Sequence, residues 1–261
     1  MLTADEKQRD ALCAKIIKAT GRAIGDFNLI ENGDRIAVGM SGGKDSYTLL
    51  QVLEILRRKA PVTFTLVPVN IDSGFTGYRN DLVREYLQEA GFSCHIKSTA
   101  AYRIIAEKRR PGSSYCAFCA RLRRGALYTA ATELNCNKIA LGHHMDDVIE
   151  TLLLNQFYSG SLGAMSPRVE ADNGQHTVIR PMIYVEEELI RSYSQLANHP
   201  IIRCSCPVEG APDQKRQQIK QLIERLSAEV PHLRRSLLGA AGNVHPHQLL
   251  DRSLFDYSPQ R

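Results

Sequence analysis

The strongest constraint on the fold is an alternation of short apolar segments with longer segments of helical periodicity. The apolar segments are predicted strands, and they read RIAVGM, FTLVPVNID, SCHIKST and NKIALGH. Between them lie segments such as YTLLQVLEILRRK, whose leucines recur at the spacing of a helix face. Strands that alternate with helices favour a parallel sheet with helices on both faces. The sequence therefore predicts an α/β, Rossmann-like fold.

The 261 residues are expected to form three successive segments. Residues 1–30 are predicted to form an N-terminal helical segment. Residues 31–200 are predicted to form the α/β domain, which contains a glycine-rich loop and the first cysteine pair. Residues 201–261 add a cysteine-containing loop, a helix and a tail, which gives the fold a helical C-terminal extension.

Composition favours a protein of the cytoplasm. No stretch of about 18 apolar residues occurs, so neither a transmembrane helix nor a membrane partner is expected. The first residues, MLTADEKQRD, lack the basic and then apolar pattern of a secretion signal. The net charge of +5 permits a polyanionic partner without requiring one.

A glycine-rich segment, VGMSGGKDS, lies between the first predicted strand and the helix after it. Glycine lets the backbone approach a ligand closely, and a helix start offers free N–H groups to an anion, so the loop predicts a phosphate site. It is not a Walker A loop, because Val38 and Asp45 stand where that loop has glycine and serine or threonine. A carboxylate beside phosphates requires a cation between them, so Asp45 predicts Mg²⁺. The alternative is a structural turn in which Asp45 or Ser46 caps the helix.

Polar motifs follow three of the predicted strands, namely the glycine-rich loop, residues 72–74 and residues 142–147. In a parallel sheet the carboxyl ends of the strands share one edge, and ligands bind there. His143, His144 and Asp147 are therefore candidates for nucleotide or metal binding, although acidic residues here also favour a helix start. The candidate nucleotide-binding residues are Ser41, Gly42, Gly43, Lys44, Asp45, Ser46, Gly142 and His143.

The seven cysteines are not expected to form a disulfide framework in a cytoplasmic chain. Four of them form two clusters, Cys116 with Cys119 and Cys204 with Cys206. The other three stand alone in the sequence and are interpreted as small buried apolar residues. They are Cys13, Cys94 and Cys136.

Cys116 and Cys119 lie one helical turn apart at a predicted helix start, which places both sulfurs on one face and favours thiolates. A redox pair of the thioredoxin type would follow the first strand, and this pair does not. Cys204 and Cys206 are separated by one residue, so only one of them is expected to join the first pair. Three thiolates fit an iron–sulfur cluster with one open iron, whereas zinc with an added histidine is equally compatible with the spacing.

Three arginines, Arg121, Arg123 and Arg124, follow the cysteine pair. One interpretation is a solvated helix face. The other is contact with RNA phosphates through the planar guanidinium groups, which we expect of one or two of them. Phe75 and Tyr78 are candidates either for stacking on a base or for packing within the protein.

The six residues SGGKDS match the PP-loop signature of the ATP pyrophosphatases, which adenylate a substrate and release pyrophosphate. The segments CAFCARLRRGALYTAATEL, KIALGHHMDDVIETLLLNQFY, VIRPMIYV and IIRC further resemble the tRNA 2-thiocytidine synthetase family, and so does the tail LFDY. The resemblance covers nearly the whole chain. It implies a PP-loop ATPase fold of the adenine nucleotide alpha hydrolase kind. It also implies adenylation of cytidine 32 in tRNA, followed by sulfur transfer to give 2-thiocytidine.

The same resemblance implies cofactors and partners. ATP, Mg²⁺ and a [4Fe–4S] cluster held by Cys116, Cys119 and Cys204 are expected. In the segment CSCPVEG, Pro207 replaces the second cysteine of the family pattern. The expected partners are tRNA, a cysteine desulfurase or another sulfur donor, and a second copy of the chain. The expected catalytic residues are Lys44, Asp45 and Asp147.

Other functions are compatible with parts of the pattern. A tRNA lysidine synthetase lacks the central cysteine pair, and a uridine thiolase flanked by zinc ribbons needs cysteines that neither end provides. A non-catalytic nucleotide-binding protein would be favoured by a damaged loop, whereas SGGKDS is intact. A thiolase of a small molecule stays compatible with the mild net charge, and binding that weakens with salt would favour RNA instead.

Overall fold

The computed structural model describes residues 3–108, 115–171, 174–202, 214–254 and 256. Its strands are β1 (Asp34–Met40), β2 (Phe64–Asp72), β3 (His95–Ser98), β4 (Lys138–Ala140), β5 (Arg168–Glu170) and β6 (Thr177–Ile179). Its helices are α1 (Ala4–Asp26), α2 (Lys44–Arg57), α3 (Asn80–Glu89), α4 (Ala101–Lys108), α5 (Tyr115–Glu133), α6 (Met145–Ser159), α7 (Glu187–Leu196), α8 (Gln214–Glu229) and α9 (Leu233–Gly242).

The strands form one six-stranded sheet in the order β3-β2-β1-β4-β6-β5. All neighbouring pairs are parallel except β5 with β6, which is antiparallel. The predicted α/β fold with a parallel sheet is therefore confirmed. The sequence did not indicate the edge strand β5 or its partner β6, because each has only three residues and β5 is exposed along its whole length.

The side chains of β1 alternate between two apolar layers, as the pleat of a strand requires. Ile36 and Val38 pack in a core that includes Leu50 of α2 and Ile190 of α7. Ala37 points the other way, into a second core with residues of α5. The sheet is thus covered on both faces, which is why β1 reads as an almost continuous apolar run.

Two helices show why their ends fall where they do. Thr3 and Glu6 form a reciprocal capping box at the start of α1. At the end of α3, Gly91 adopts a positive φ of 78°. Its N–H donates to Gln88, and the N–H of Phe92 donates to Leu87, which is the pattern of a glycine-terminated helix.

The chain packs as two compact units. The large unit comprises residues 1–147 and 166–213, and the small unit comprises residues 148–165 and 214–261. Helix α6 begins in the large unit and continues in the small one. The three segments expected from the sequence, with boundaries near residues 30 and 200, stay a prediction.

The small unit is helical and has a core of its own. Ile149 and Leu153 of α6 pack with Ile219 and Ile223 of α8. Arg216 Nε donates to the buried Glu150 carboxylate at 2.8 Å. The predicted helical extension is confirmed by α8, whereas α9 was not predicted, because its sequence LRRSLLGAAG contains two glycines.

Within the described parts of the chain, no helix is both long enough and apolar enough to cross a lipid bilayer.

Candidate active site at the carboxyl ends of the strands

The glycine-rich loop joins β1 to α2 and is held from both sides. Gly42 has a positive φ of 80°, and a Cβ there would lie 3.0 Å from the Ile202 Cβ. The Gly42 carbonyl accepts a hydrogen bond from the Ile202 N–H at 2.8 Å. Ser46 Oγ donates to the Gly43 carbonyl at 2.9 Å, and the Gly43 N–H donates to Ser41 Oγ at 3.2 Å. The loop therefore has a fixed backbone path that only glycine permits.

The alternative of a helix-capping turn is not what the loop shows. The N-cap of α2 is Gly43, and no side chain of the described residues caps this helix with a hydrogen bond. Neither Asp45 nor Ser46 has that role. An uncapped helix start next to a glycine turn is the arrangement that binds phosphate groups.

Lys44 lies between two carboxylates. Its Nζ is 3.0 Å from Asp45 Oδ1 and 3.1 Å from Glu187 Oε1, which belongs to α7. Burial favours the neutral amine, but Asp45 and Glu187 outweigh it and raise the pKa of Lys44. The side chain is therefore a fixed positive charge beside the phosphate-binding loop.

The segment after β4 completes this cluster. His144 Nε2 lies 3.4 Å from Asp147 Oδ2 and 3.7 Å from Asp45 Oδ1. The Asp147 carboxylate also accepts the His144 N–H at 3.0 Å, so it supports the start of α6 as well. Asp146 Oδ2 accepts the Glu187 N–H at 2.7 Å and so positions the start of α7. We call Lys44, Asp45, His144, Asp147 and Glu187 the carboxyl-end cluster.

Two buried atoms of the carboxyl-end cluster accept no hydrogen bond from the described residues, namely Asp45 Oδ1 and His144 Nδ1. The Lys44 amine contacts Asp45 Oδ1, but it donates its hydrogen bond to Oδ2, at 3.2 Å. His144 Nδ1 lies 3.9 Å from Asp146 Oδ2, which is too long for a hydrogen bond. Buried polar atoms without partners are rare in folded proteins, and at a ligand site they indicate a bound group.

Gly142 lies directly against the start of α2. A Cβ at this position would be 3.1 Å from the backbone carbon of Asp45 and 3.2 Å from its backbone oxygen. The end of β4 can approach the glycine-rich loop this closely because residue 142 has no side chain. The structure thus brings the two predicted glycine positions, in the loop and after β4, to the same place.

A cavity of about 240 Å³ adjoins the loop at the carboxyl ends of β1, β2 and β4. Its floor is apolar and includes Met40 and Leu141, and Ser41 of the loop forms one side. The opposite side is α5, whose polar contributions are Arg123, Arg124 and Tyr128. Within the large unit the cavity therefore lies between the phosphate-binding loop and the helix that carries the first cysteine pair. His143 also lines it.

The three arginines of α5 have different surroundings. Arg123 is half-buried and Arg124 is exposed, and both line the cavity. Arg121 is exposed and is not part of the lining. RNA contact by these residues stays a proposal, but the structure separates two that face the candidate site from one that does not.

The first cysteine pair lies at the start of α5. Cys116 is exposed, whereas Cys119 is buried in a small apolar cluster with Phe75 and Ile105. Cys204 and Cys206 lie outside the described residues. In the part of the chain that is described, no three His, Cys, Asp or Glu side chains are grouped as metal ligands.

The two aromatic candidates pack within the protein. Phe75 is 8% exposed and stacks edge-on against Tyr102, which favours packing over contact with a base. The Tyr78 hydroxyl accepts a hydrogen bond from Asn70 at 2.8 Å and reaches the Ser41 carbonyl at 3.5 Å. Tyr78 therefore supports the glycine-rich loop by contacting its backbone at Ser41.

The isolated cysteines differ from Cys116. Burial raises the pKa of Cys13, Cys94 and Cys136, which keeps these thiols protonated. Cys136 is also almost inaccessible, at 4% exposure. Cys136 thus matches the interpretation of a small buried apolar residue, whereas Cys13 and Cys94 are only half-buried.

Known proteins resemble this chain over most of its length. A family described as "PP-loop domain" matches residues 13–202. The tRNA-cytidine(32) 2-sulfurtransferase of Syntrophotalea carbinolica is 60% identical over 95% of this chain and 96% of its own length. The protein of the same name from Geobacter sulfurreducens is 58% identical over 92% of this chain and 93% of its own.

Among solved structures, the U34-tRNA thiolase NcsA of Methanococcus maripaludis, determined with its [4Fe–4S] cluster, has a TM-score of 0.73. It is 20% identical, and the match covers 90% of this chain and 78% of that one. At this identity the likeness concerns the fold.

The fold and the glycine-rich loop thus define a PP-loop protein, a class in which the loop is the nucleotide-binding element. The names and the high identity of the relatives identify the family more closely. This chain belongs to the tRNA-cytidine(32) 2-sulfurtransferase family. The family resemblance predicted from the sequence is therefore confirmed.

Proposed function

We propose that this chain uses ATP to thiolate C2 of cytidine 32 in tRNA, the activity for which its relatives are named. The observation that supports this most directly is the common location of the parts. The phosphate-binding loop, the carboxyl-end cluster and the cavity lined by α5 share one edge of the sheet. That edge is where open α/β sheets bind their ligands.

Thiolation of a cytidine needs two steps, because the oxygen at C2 is a poor leaving group. In the first step the C2 oxygen attacks the α-phosphorus of ATP, and pyrophosphate leaves. In the second step sulfide attacks C2, AMP departs with the original oxygen, and a proton is released; a persulfide donor requires in addition a thiol that reduces it by two electrons. The net result is replacement of oxygen by sulfur at C2, with conversion of ATP to AMP and pyrophosphate.

The loop residues support the first step. Ser41, Gly42, Gly43 and Ser46 give the backbone path that holds the phosphates, and Lys44 offsets the negative charge that builds on them. The carboxylate of Asp45 fits a Mg²⁺ ion, since its buried Oδ1 accepts no hydrogen bond from the described residues. A Mg²⁺ ion held by Asp45 would supply further charge neutralisation at the phosphates.

His144, Asp147 and Glu187 have supporting parts. The Glu187 carboxylate holds the Lys44 amine in place, and the Asp146 carboxylate positions Glu187 by accepting the Glu187 N–H. Asp147 accepts the His144 N–H at the start of α6 and lies beside the His144 ring, which also faces Asp45. We therefore assign Asp147 a role in positioning the His144 ring against Asp45. Gly142 and His143 line the approach to the loop.

Cys116, Cys119 and Cys204 are the residues that would hold a [4Fe–4S] cluster. Thiolates are the preferred ligands of iron–sulfur clusters, and an exposed Cys116 one turn from Cys119 fits that role. The third ligand lies outside the described residues. A cluster held by these three cysteines would supply the iron chemistry that delivers sulfur to the activated base.

The remaining parts of the proposal concern partners. The substrate is tRNA, and the sulfur comes from a cysteine desulfurase or another donor. The chain acts in the cytoplasm and as a homodimer. Arg121, Arg123 and Arg124 provide cationic groups near the entrance for the RNA phosphates.

The test is formation of 2-thiocytidine by the purified protein. Protein prepared without oxygen is incubated with ATP, Mg²⁺, sulfide and a tRNA transcript, and the nucleosides are then separated and identified by mass spectrometry. The matched substrate is the same transcript with uridine at position 32. We expect 2-thiocytidine from the first transcript only, together with one AMP for each thiolated base.

Two results would contradict the proposal. Thiolation of the uridine transcript, or of another nucleoside, would mean a different RNA substrate. ATP cleavage to AMP without any RNA product would indicate a small-molecule acceptor. Cys119→Ala protein serves as the control for the cysteine site, and full thiolation by this variant would remove the cluster from the proposal.

A further inference from the structure

The short segment that follows α7 starts from a fixed helix end. Helix α7 ends at Leu196, and Asn198 adopts a positive φ of 51° just after it. The Asn198 N–H donates to the Gln195 carbonyl and the His199 N–H donates to the Ser194 carbonyl, each at 3.2 Å. This is a Schellman motif with asparagine in the position that glycine usually occupies. The backbone of His199 is therefore part of the end of α7.

The ring of His199 is held between two helices. Its Nε2 lies 2.9 Å from Gln51 Oε1 of α2, and its Nδ1 lies 2.9 Å from Ser194 Oγ of α7. A carbonyl oxygen only accepts hydrogen bonds, so Nε2 carries the ring proton, and Nδ1 accepts from the Ser194 hydroxyl. The Tyr193 hydroxyl donates to the same Gln51 oxygen at 2.7 Å. The ring is 7% exposed, and these bonds fix its orientation.

The identity of this buried residue is informative. Three tyrosine rings, from Tyr47, Tyr86 and Tyr193, surround the ring of His199 at centroid distances of 5.4, 5.8 and 5.8 Å. An apolar side chain would fill this space at a lower desolvation cost than an imidazole. The imidazole adds direction, because two hydrogen bonds fix both the position and the rotation of its ring.

Two backbone contacts connect His199 to the glycine-rich loop. The His199 carbonyl accepts the Ile201 N–H at 2.9 Å, which closes a tight turn around Pro200. The next residue, Ile202, donates its N–H to the Gly42 carbonyl at 2.8 Å. Proline fixes its own φ and restricts the residue before it, so the connection is stiff. A displacement of the ring is therefore passed on to the Gly42 carbonyl.

We infer that His199 is a positioning residue for the glycine-rich loop. Its ring fixes residues 199–202 against α2 and α7, and this segment holds the Gly42 carbonyl and so keeps the loop backbone in the shape that binds phosphates. The role rests on the proposed function, because that function makes ATP the ligand of the loop. His199 acts through Ile202 and is not assigned a contact with ATP.

The experiment compares two amides at position 199 in the full chain, prepared without oxygen. The amide of His199→Asn lies near the former Nδ1, so this variant keeps the contact with Ser194 and loses the contact with Gln51. The longer His199→Gln side chain reaches the former Nε2 position and still donates to Gln51. The two variants therefore differ in whether the ring position remains tied to α2.

The matched control is His176→Asn. The His176 ring is 6% exposed, and its Nε2 and Nδ1 lie 2.9 Å from Thr132 Oγ1 and from the Cys136 carbonyl. Asparagine here also keeps the contact of Nδ1 and loses that of Nε2. His176 directly precedes β6, at the amino end of this parallel strand, whereas the glycine-rich loop follows the carboxyl end of β1. The control thus loses a buried histidine of the same kind away from the loop.

Three quantities are measured for each protein. They are the dissociation constant of ATP by calorimetry, the hydrogen-exchange rate of the Ile202 amide by NMR, and the free energy of unfolding in urea. Urea unfolding selects conditions under which every variant is folded. We expect His199→Asn to raise the dissociation constant about tenfold, the upper range for one hydrogen bond, and to speed exchange of the Ile202 amide about tenfold.

The conservative variant and the control should behave differently. His199→Gln should stay within about twofold of the wild type in both quantities, since the tie to Gln51 is kept. His176→Asn should lose stability but change ATP binding and Ile202 exchange less than about twofold, because the two sites are far apart and independent.

Three results would overturn the inference. The first is a folded His199→Asn protein with normal ATP binding, whether or not the Ile202 amide exchanges faster. The second is a His176→Asn protein that weakens ATP binding equally, because general loss of stability would then be the cause. The third is a His199→Gln protein as impaired as His199→Asn. A wild type that does not bind ATP would refute the proposed function instead, and exchange at Ile202 would then decide alone whether His199 holds the loop.

Discussion

Each end of the sheet has a lysine beside two carboxylates, Lys138 fully buried at one end and Lys44 half-buried at the other, and the two groups are completed differently. At the amino ends of β1 and β4, Lys138 contacts Asp34 and Glu31, each at 2.7 Å. Asp34 also accepts hydrogen bonds from the Glu31 N–H and from the Asn137 amide. At the carboxyl ends, Lys44 has two carboxylates as well. There, Asp45 Oδ1 and a nitrogen of His144 are left without a hydrogen bond from the described residues.

The difference separates a structural group from a binding group. We call Glu31, Asp34, Asn137 and Lys138 the closed group, and we call the carboxyl-end cluster the open group. Every buried side-chain atom of Glu31, Asp34, Asn137 and Lys138 has a partner in the described part of the chain, so nothing is left for a ligand. Lys138 and Asp34 are also almost inaccessible, at 2% and 4% exposure. The carboxyl-end cluster is partly exposed to solvent, and two of its buried polar atoms lack a hydrogen bond from the described residues. Both properties fit a site that binds phosphates and a cation.

The largest expected effect comes from the open group. Replacing Lys44 by alanine removes the fixed charge beside the loop and should lower the rate of 2-thiocytidine formation by a factor of about 10²–10³. The free energy of unfolding should change by less than about 1 kcal/mol, because the Lys44 contacts are partly exposed and screened. The rate is measured by the nucleoside assay and the stability by urea unfolding.

The matched control for Lys44→Ala is Lys97→Ala. Lys97 also contacts a carboxylate, that of Glu133 at 2.6 Å, but it belongs to the edge strand β3 and the pair is exposed. It should keep its thiolation rate. A Lys44→Ala protein that thiolates at the wild-type rate would show that the open group is not part of the active site.

The closed group should respond in the opposite way. Lys138→Met leaves the Asp34 carboxylate buried without its cation, which should cost about 3–5 kcal/mol of unfolding free energy. Thiolation by the protein that remains folded should be nearly normal. The measurement is urea unfolding of the variant beside the wild type.

A double variant sharpens this prediction. Asp34→Asn combined with Lys138→Met removes both charges and keeps a side-chain oxygen that can accept the Glu31 N–H. It should be less destabilised than Lys138→Met alone, because no unpaired charge stays buried. Equal loss in the single and double variants would mean that the ion pair is not what stabilises this end of the sheet.

Two histidines extend the same comparison. His199 has both ring nitrogens satisfied, by Ser194 Oγ and by Gln51 Oε1, each at 2.9 Å. Tyr47, Tyr86 and Tyr193 surround its ring. His144, in the open group, lacks one such partner. Burial lowers the pKa of His199 to about 4, so this ring stays neutral in the folded protein at neutral pH.

Stability should therefore fall as the pH is lowered from about 6.5 to about 4. In this range the unfolded chain binds a proton at His199 and the folded chain does not, which costs up to about 3 kcal/mol. Asp34 acts at lower pH, because its pKa is lowered and its stabilising effect is lost only as the pH falls through that value. The measurement is urea unfolding across this range, with NMR titration of the ring. A His199 ring that titrates near 6.5 would contradict the prediction.

The parts of the site that the sequence predicted are those in contiguous motifs. The loop from Ser41 to Ser46 and the segment around Gly142 can be located because glycine and charge stand next to predicted strands. Glu187 was not predicted as a site residue. It lies more than a hundred residues from the loop, and nothing in VIRPMIYVEEELI tells which distant strand end it meets. The local sequence pattern predicts the helices and strands, whereas the contacts between distant segments depend on the order of strands in the sheet.

The arginines and aromatics show the same limit at a finer scale. A helix pattern places Arg121 and Arg124 three positions apart, but only the packed structure shows that one lines the cavity and the other does not. Phe75 follows a strand end like a site residue, yet it is buried against Cys119. Side-chain direction depends on what packs behind the element, which a single sequence does not specify.

The smallest expected effect tests how closely the segment after β4 must approach the start of α2 in the open group. Gly142→Ala adds a Cβ that would lie 3.1 Å from the Asp45 backbone, so α2 must shift by a few tenths of an ångström. A shift of this size should lower kcat/KM for ATP about tenfold, since misplacement by a full ångström costs about a hundredfold. Gly25→Ala is the matched control, because nothing lies within 4 Å of a Cβ there. A normal kcat/KM in Gly142→Ala would mean that the loop tolerates displacement and that its backbone position does not limit the rate. The tenfold loss, with an unchanged control, would show that the open group depends on its geometry as well as on its charges.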